Sequence, residues 1–278
     1  MEFVFQTRSP DGVLGRFVES VFYARGRIEY RRERIAPTGS TVAGIVLGAP
    51  IRQTPDDGAG PMFEAGTGFL IGPHDRPIVN EPLAETYCVG IVTTPVGCRV
   101  VFGVDPAPLR GRVVDLTAAW PAAADLRERL LAMSDPASML DLVGQTLAAT
   151  LDPPTPGVDR CARAVRALED DPACNIGELA KRLGVTHGHL DREFTRVVGV
   201  SPRTLARTLR VRTLLENIDV YGQIAWVRLA AELGWFDQAH LIRDFKRHTG
   251  VTPSQYQAAQ RDRFRPEEAA PGFVPDTT

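Results

Sequence analysis

Apolar residues recur at helical spacing in the C-terminal half of the chain, and turn residues separate the apolar segments. Leu241 and Phe245 are four residues apart, so one face of a helix carries both. Asp237 is suited to cap the start of that helix and Gly250 to end it. Pro253 then falls at the first position of a following helix, where its missing N–H costs nothing. The pattern predicts a turn, a capped helix and a second turn.

The same pattern occurs about 50 residues earlier, so this part of the chain contains an internal duplication. The equivalent pairs are Gly184 with Gly234, His189 with His240, Arg192 with Arg243, Phe194 with Phe245 and Pro202 with Pro253. Each copy predicts a helix, a glycine turn and a basic helix, which is the arrangement of a helix-turn-helix unit. We call the basic helices, predicted over 186–197 and 237–248, the first and second reader.

The second unit resembles the AraC/XylS family of bacterial transcription regulators. Its residues from Gly234 to Pro253 are G-W-F-D-Q-A-H-L-I-R-D-F-K-R-H-T-G-V-T-P. The resemblance covers residues 158 to 262 and implies an all-α double helix-turn-helix module. It also implies that the helix predicted over 201–217 connects the two units, so that one polypeptide carries both readers and can bind DNA as a monomer.

The N-terminal half shows a different pattern, of short β-rich runs separated by turns. These runs cover 17–23, 41–47, 68–71, 86–94 and 99–104. Many short strands without regular helical alternation predict an antiparallel β-barrel or sandwich. Two helices are predicted after it, over 122–133 and 136–151. The stretches 42–48, 72–74 and 103–116 resemble an AraC-type sensor with a cupin-like β core. The predicted fold class is therefore α+β with two domains.

Domain boundaries follow from breaker residues. The segment Leu151 to Gly157 holds three prolines, which stiffen the chain and remove backbone donors. It separates a predicted sensing or dimerisation domain over 1–150 from a DNA-binding domain over 158–265. Residues 266–278 are rich in Pro, Gly and acidic side chains, so we expect a disordered tail.

Charge is divided unevenly between the two halves. The chain has 278 residues and a net charge of −2. Residues 158–265 hold 18 Lys and Arg against 13 Asp and Glu, whereas residues 1–157 hold 14 against 18. A basic C-terminal half beside an acidic N-terminal half fits a nucleic-acid-binding module joined to a second domain. No run of 18 apolar residues and no secretory signal is present, so we expect a cytoplasmic protein without a membrane span.

Side chains on the two readers are candidates for DNA contact. Those predicted to meet base edges are Gln238 and Arg243 on the second reader, and Arg192 and His187 on the first. Glutamine can bond adenine and arginine can bond guanine, each such pair discriminating by about 1–3 kcal/mol. Those predicted to meet phosphates are Arg196, Lys246 and Arg247. Gly188 lies where the family often has a larger base-contacting side chain. The first reader therefore has two candidate roles: it reads bases, or it mainly positions the protein on the DNA backbone.

No cofactor or metal site is predicted in the N-terminal half. His74 is the only histidine before His187, and a metal-dependent cupin needs a histidine cluster. The four cysteines lack metal spacing and are expected to be reduced thiols. A barrel interior can hold a small molecule, but the sequence names none. Arg16, Arg31, Arg32 and Arg34 are candidate anion contacts, but an exposed, charged strand face is the more common explanation for such residues.

The sequence is compatible with three functions. The first is a sequence-specific transcription regulator that binds double-stranded promoter DNA under the control of a small molecule in the N-terminal domain. The second is a ligand-independent regulator whose N-terminal domain only dimerises. The third is an enzyme domain, such as a DNA-alkyl transferase, fused to a helix-turn-helix module. We favour the first, with RNA polymerase as a candidate partner and a monomer or homodimer as the assembly, and we predict no enzyme activity.

Overall fold

The structure is a computed structural model that describes residues 3–28, 30–56, 60–264 and 272–276. Its N-terminal half forms two antiparallel sheets followed by helices, and its C-terminal half is helical. The predicted α+β class is therefore confirmed, with a sandwich as the form of the β domain.

Within the residues that the structure describes, six strands form the first sheet and five form the second. The strands, in chain order, are β1 (Val4–Arg8), β2 (Val18–Gly26), β3 (Glu33–Ile35), β4 (Val42–Val46), β5 (Ile51–Pro55), β6 (Phe63–Ala65), β7 (Gly68–Ile71), β8 (Ile78–Pro82), β9 (Thr86–Thr93), β10 (Val113–Asp115) and β11 (Phe273–Pro275). The first sheet has the order β1-β2-β9-β4-β7-β10 and the second the order β11-β3-β8-β5-β6.

Most of the helices follow the β domain in the sequence. They are α1 (Cys98–Phe102), α2 (Leu116–Ala119), α3 (Ala122–Leu131), α4 (Pro136–Ala149), α5 (Pro156–Asp170), α6 (Ile176–Arg182), α7 (His187–Val198), α8 (Pro202–Asn217), α9 (Trp226–Glu232), α10 (Gln238–Thr249) and α11 (Pro253–Arg263). The first reader is α7 and the second reader is α10. Each begins and ends within about two residues of the predicted bounds, which is the usual uncertainty of helix ends.

Alternation along β4 shows how the first sheet is buried on both sides. Ala43 and Ile45 belong to a core that includes α3 and α4, whereas Val46 belongs to a core shared with the second sheet. Successive side chains of a strand point to opposite faces, so the first sheet is the middle layer between helices and the second sheet.

The run Arg99 to Val104 was predicted as a strand, and this prediction is wrong. Residues Cys98–Phe102 form helix α1, which ends at Gly103 with a φ of 72°. Val100, Val101 and Phe102 are all buried. A short apolar run that is buried on every side has no periodicity to separate a helix from a strand.

Helix α8 is the common support of the two helix-turn-helix units. Leu205 and Leu209 belong to the core that holds the first unit and also runs into the β domain. Val211 and Leu214 belong to a second core with α9, α10 and α11. Because one continuous helix contributes to both cores, the two readers are held on a single rigid element.

The chain ends differently from the expectation of a disordered tail over 266–278. Residues Phe273–Pro275 form β11 and pair antiparallel with β3. Val274 is buried in the core of the second helix-turn-helix unit. The remaining tail residues, 266–271 and 277–278, lie outside the described residues. The predicted linker 151–157 is also shorter than expected, because α5 already begins at Pro156.

Within the described ranges, no helix combines the length and apolarity that a bilayer crossing needs.

Candidate nucleic-acid interface

Each reader is bounded by a side-chain cap and a left-handed glycine. Thr186 caps α7 by accepting a backbone N–H at 3.2 Å, and Asp237 caps α10 in the same way at 2.6 Å. Gly199 and Gly250 end the two helices with φ values of 85° and 77°. These are local signals, so the sequence next to each helix is enough to set its limits.

Both readers bury one apolar face and expose the opposite, polar face. Leu190 and Phe194 of α7 are fully buried, as are Leu241 and Phe245 of α10. The predicted contact residues that are exposed are His187, Arg192 and Arg196 on α7, and Gln238, Arg243 and Lys246 on α10. The structure therefore leaves these six side chains on the surface of their helices.

A buried or half-buried acidic side chain anchors each reader at an equivalent position. Glu193 of α7 pairs with Arg160 of α5 at 2.8 Å. Asp244 of α10 accepts a hydrogen bond from Trp235 Nε1 at 3.0 Å and lies 3.5 Å from Arg207 of α8. These contacts resist rotation of each reader about its own axis, so the exposed face keeps its direction.

The starts of both readers line one cleft between the two units. The cleft has a volume of about 500 Å³ and is lined by His187 of α7, His240 of α10 and three arginines of α8, namely Arg203, Arg207 and Arg210. Helix α8 has 16 residues, which corresponds to about 24 Å. The first turns of the two readers therefore line a shared, arginine-rich surface.

Arg247, predicted to meet a phosphate, is instead bound to the β domain in this structure. Its Nη2 and Nε donate to Asp75 Oδ2 at 2.7 Å and 3.3 Å, and Arg110 lies 3.7 Å from the same oxygen. Burial alone would raise the pKa of Asp75, but the hydrogen bond and charge of Arg247, aided by Arg110, hold it below its usual value. Arg247 is therefore unavailable to DNA while this pair is formed.

A second cleft separates the second reader from the β domain. It has a volume of about 440 Å³ and is lined by Arg243, Lys246 and Arg247 of α10 and by Asp56, Arg76 and Pro77 of the β domain. Gly250 approaches the β domain so closely that an added Cβ would lie 2.6 Å from Asp56 Oδ2 and 2.7 Å from Arg34 Cδ. The C-terminal part of α10 thus faces the β domain, whereas its N-terminal part faces solvent.

Two histidines near this contact are buried. His248 of α10 lies with its Nδ1 2.8 Å from the carbonyl oxygen of Asp244 and its Nε2 3.2 Å from Thr208 Oγ1. Burial lowers the pKa of His248 below its usual value, although that carbonyl and nearby carboxylates act in the opposite direction. His74 is also buried, and burial lowers its pKa. Burial therefore favours the neutral form of both rings.

The four N-terminal arginines proposed as anion contacts all have carboxylate partners. Arg16 pairs with Asp159 at 2.7 Å, Arg31 with Glu81 at 2.8 Å, Arg32 with Asp276 at 2.5 Å and Arg34 with Asp56 at 3.5 Å. Two of these pairs join the β domain to remote parts of the chain, because Asp159 lies on α5 and Asp276 follows β11. A structural role therefore fits them better than an anion site.

A buried carboxylate in the second sheet was not anticipated from the sequence. Glu33 accepts hydrogen bonds from the Tyr30 hydroxyl at 2.6 Å and from Asn80 Nδ2 at 3.1 Å. Burial raises the pKa of Glu33, while these two hydrogen bonds act to lower it. Only the pairing of β3 with β8 brings Glu33 opposite Asn80, so no local signal in the sequence could have indicated this cluster.

Comparison with known proteins gives a sequence match within the C-terminal half and a fold match over most of the chain. Residues 179–259 match a family described as a helix-turn-helix domain. The HTH-type transcriptional regulator Rv1931c of Mycobacterium tuberculosis is 31% identical over 117 residues. That match covers 42% of this chain and 42% of the relative, so the chain matches less than half of the length of this curated relative.

Solved structures of ToxT from Vibrio cholerae resemble the fold along most of its length. One, at 1.65 Å resolution, gives a TM-score of 0.50 at 11% identity and covers 91% of this chain and 98% of ToxT. Another, of ToxT with an unsaturated fatty acid bound, gives a TM-score of 0.47 at 10% identity and covers 92% and 94%.

Proposed function

We propose that this chain, whose residues 179–259 match a helix-turn-helix domain, is a transcription regulator of the AraC/XylS type that binds specific sequences in double-stranded promoter DNA. The observation that carries the proposal is the pair of equivalent, capped readers supported by α8, with their starts on one cleft. A helix fits the major groove of B-DNA, and successive major grooves on one face are about 34 Å apart. Two readers on one rigid element can then enter neighbouring grooves.

Base reading is assigned to exposed side chains in the first half of each reader. On α10, Gln238 is suited to bond the N6 and N7 atoms of adenine, and Arg243 to bond the O6 and N7 atoms of guanine. On α7, Arg192 takes the position equivalent to Arg243, and His187 stands at the exposed first turn. Gly188 lies beside Arg192, because a Cβ at this glycine would lie 3.4 Å from Arg192 Nη1, an ordinary contact distance.

Phosphate contacts are assigned to Arg196 and Lys246, which are exposed on the two readers. Arg247 can contact a phosphate only after its ion pair with Asp75 is broken. Each phosphate that a protein neutralises releases counterions, so binding is expected to weaken steeply as salt rises. Arg203, Arg207 and Arg210, in the cleft between the readers, add to the positive potential that attracts DNA.

Control by the N-terminal domain is supported by its direct contact with the second reader. Asp75 and Asp56 of the β domain lie against the C-terminal part of α10, through Arg247 and Gly250. We propose that a small molecule bound in the N-terminal domain shifts the balance between this closed contact and a DNA-bound state. The alternative is a β domain that only dimerises and makes the second reader available without a ligand.

A thermal-shift screen of metabolites against the full chain separates these alternatives. A ligand that binds only the folded form raises the melting temperature, and an effector also changes DNA affinity. Hits that shift both support ligand control. A broad library without hits, combined with self-association of the chain, supports the dimerisation alternative.

An enzyme function receives no support from the cysteines. Burial raises the pKa of Cys88 to about 12, that of Cys98 to about 11 and that of Cys161 to about 12. A thiol becomes a strong nucleophile as its thiolate, which these values disfavour. The thiols therefore act as small buried apolar groups.

The proposed function is tested by selection from a randomised DNA pool with the full chain. Enrichment of one motif, bound at least about 1,000-fold more tightly than random DNA, is the expected result. A pool without enrichment, or equal affinity for enriched and random DNA, would refute sequence-specific binding.

A further inference from the structure

The C-terminal strand β11 lies between the two domains, and backbone hydrogen bonds attach it to the β domain. It pairs with β3 at the edge of the second sheet. Ala36 N donates to the Gly272 carbonyl oxygen at 2.8 Å, and Asp276 N donates to the Arg32 carbonyl oxygen at 2.9 Å. We call residues 272–276 the strap, because they join the β domain to the helices that follow it.

The other side of the strap belongs to the second helix-turn-helix unit. Gln260 of α11, which is itself buried, donates through its Nε2 to the Phe273 carbonyl oxygen at 2.6 Å. Val274 is fully buried, in the core that also holds Leu241 and Phe245 of the second reader. Exposure of the valine to water, or loss of the partner of the buried amide, would cost free energy. The strap is therefore firmly fixed to this unit.

The attachment of the strap to β3 is the weaker of the two. It consists of three paired residues on each strand, at the edge of the sheet. Asp276 adds ion pairs to Arg32 at 2.5 Å and to Arg34 at 3.8 Å, but the Arg32 side chain is 44% exposed, and a pair that reaches water contributes little. Separation of a short edge strand needs less free energy than withdrawal of the fully buried Val274 from its core.

The strap is also linked to the contact between α10 and the β domain. Arg34 lies 3.8 Å from Asp276 of the strap and 3.5 Å from Asp56. Arg34 and Asp56 are also the side chains that lie against Gly250, at the end of α10. Arg247 of the same helix is held by the β domain, so DNA can take Arg247 only after this contact opens. The strap and the closed contact therefore oppose the same movement.

We propose that the strap restrains DNA binding by holding the second helix-turn-helix unit against the β domain. In the closed state β11 pairs with β3, and the second reader keeps its contact with the β domain. In the DNA-bound state β11 stays with α11 and leaves β3, so the second unit can turn away from the β domain. This inference rests on the proposed function and adds the element that sets the balance between the closed and DNA-bound states.

A reversible disulfide between the strap and β3 tests the proposal. Ile35 and Phe273 lie opposite each other, and they are a non-hydrogen-bonded pair because the neighbouring pair Ala36–Gly272 carries the hydrogen bond. Such pairs bring the Cα atoms to about 4.5 Å, which a disulfide can span. In the variant Ile35→Cys/Phe273→Cys, oxidation should lower the affinity for the selected motif at least about tenfold, because affinity follows the fraction of the competent state. Reduction should restore it, and the single variant Phe273→Cys should bind equally under both conditions.

Hydrogen exchange of the unmodified chain measures the same opening without a substitution. On addition of the selected motif, the amides of Ala36 and Asp276 should exchange faster, because their acceptors move away. Asp276→Asn should raise the affinity for the motif about threefold, as expected for loss of a partly exposed ion pair. Glu64→Gln is the matched control and should leave the affinity unchanged, since Glu64 pairs with Arg52 at 2.9 Å at the opposite edge of the same sheet.

The proposal is overturned if the oxidised and reduced forms bind the motif equally, or if the two amides keep their protection in the DNA complex. Either result would make β11 a permanent part of the second sheet and would leave sequence-specific binding intact. A chain that selects no motif in either redox state refutes the proposed function, and the regulatory role of the strap with it.

Discussion

Loss of the Asp75 carboxylate should increase DNA affinity. Asp75→Asn keeps the size of the side chain but removes the charge that holds Arg247. Arg247 makes two N–H contacts to one carboxylate oxygen, at 2.7 Å and 3.3 Å. The side chains of Asp75 and Arg247 are 12% and 34% exposed, so the pair is only partly shielded from water.

The magnitude follows from this partial burial. A hydrogen bond to a charged group contributes about 1.5–3 kcal/mol when it is well shielded, and an exposed ion pair about 0–1 kcal/mol. An intermediate value of about 1 kcal/mol corresponds to roughly a fivefold change in an equilibrium constant. Release of Arg247 should therefore increase affinity for the selected motif about fivefold. It should also steepen the dependence on salt by about one phosphate contact, a slope change of about −0.9.

The assay is fluorescence anisotropy with the selected motif at several salt concentrations, arranged as a double-mutant cycle. In an Arg247→Ala background, Asp75→Asn should have no further effect, because the partner is gone. Asp141→Asn is the control, since Asp141 pairs with Arg8 on the β domain and neither residue belongs to a reader. Unchanged affinity of Asp75→Asn, or an equal gain in both backgrounds, would refute the idea that this pair restrains the second reader.

The pH dependence gives a further check of the same pair. The folded-state pKa of Asp75 is lowered, so the carboxylate stabilises its contact with Arg247 fully above the ordinary aspartate pKa of about 3.9. This stabilisation is lost only as the pH falls through the lower folded-state pKa. The difference between Asp75→Asn and the unmodified chain should therefore be the same at pH 6 and at pH 8. A difference that disappears at pH 6 would contradict the argument.

Three other predictions concern base reading, backbone conformation and buried histidines. Arg243→Ala should weaken binding to the selected motif by about 1–3 kcal/mol and binding to random DNA much less; equal losses in anisotropy titrations would make Arg243 a phosphate contact. Gly184→Ala, at a φ of +73° with open space around the added Cβ, should lower the unfolding free energy by about 1–2 kcal/mol in urea denaturation. Gly250→Ala, at a φ of +77° and with its added Cβ in collision with Asp56 and Arg34, should lower the unfolding free energy more than Gly184→Ala does. An equal loss would mean that the contact between α10 and the β domain can shift without cost. Burial lowers the folded-state pKa of His248, so the unfolded chain binds the proton more readily and stability should fall as pH drops below about 6.5; His248→Gln should flatten this loss in melting curves, and unchanged pH dependence would contradict it.

Local signals explain why the C-terminal half could be predicted closely from the sequence. The caps Thr186 and Asp237 and the left-handed glycines Gly199 and Gly250 act within one turn of the helix they limit. Apolar spacing places Leu241 and Phe245 inside, and so leaves Arg243 outside. None of these features depends on a distant part of the chain.

Long-range pairing explains what could not be predicted. Asp75 meets Arg247 across 172 residues, and nothing next to either residue indicates the other. The strand β11 exists because Phe273–Pro275 pair with β3 at the opposite end of the chain, which outweighs a composition typical of disorder. The helix α1 likewise depends on burial from several sides, which an apolar run alone does not reveal.

Hydroxyl-radical footprinting of the selected motif tests the central claim most directly. Two readers in successive major grooves should protect two patches on one face of the duplex, separated by about one helical turn of roughly 10 base pairs. Arg192→Ala should weaken one patch and Arg243→Ala the other. A single protected patch, or two patches that respond equally to both substitutions, would contradict the account of two separate readers supported by one helix.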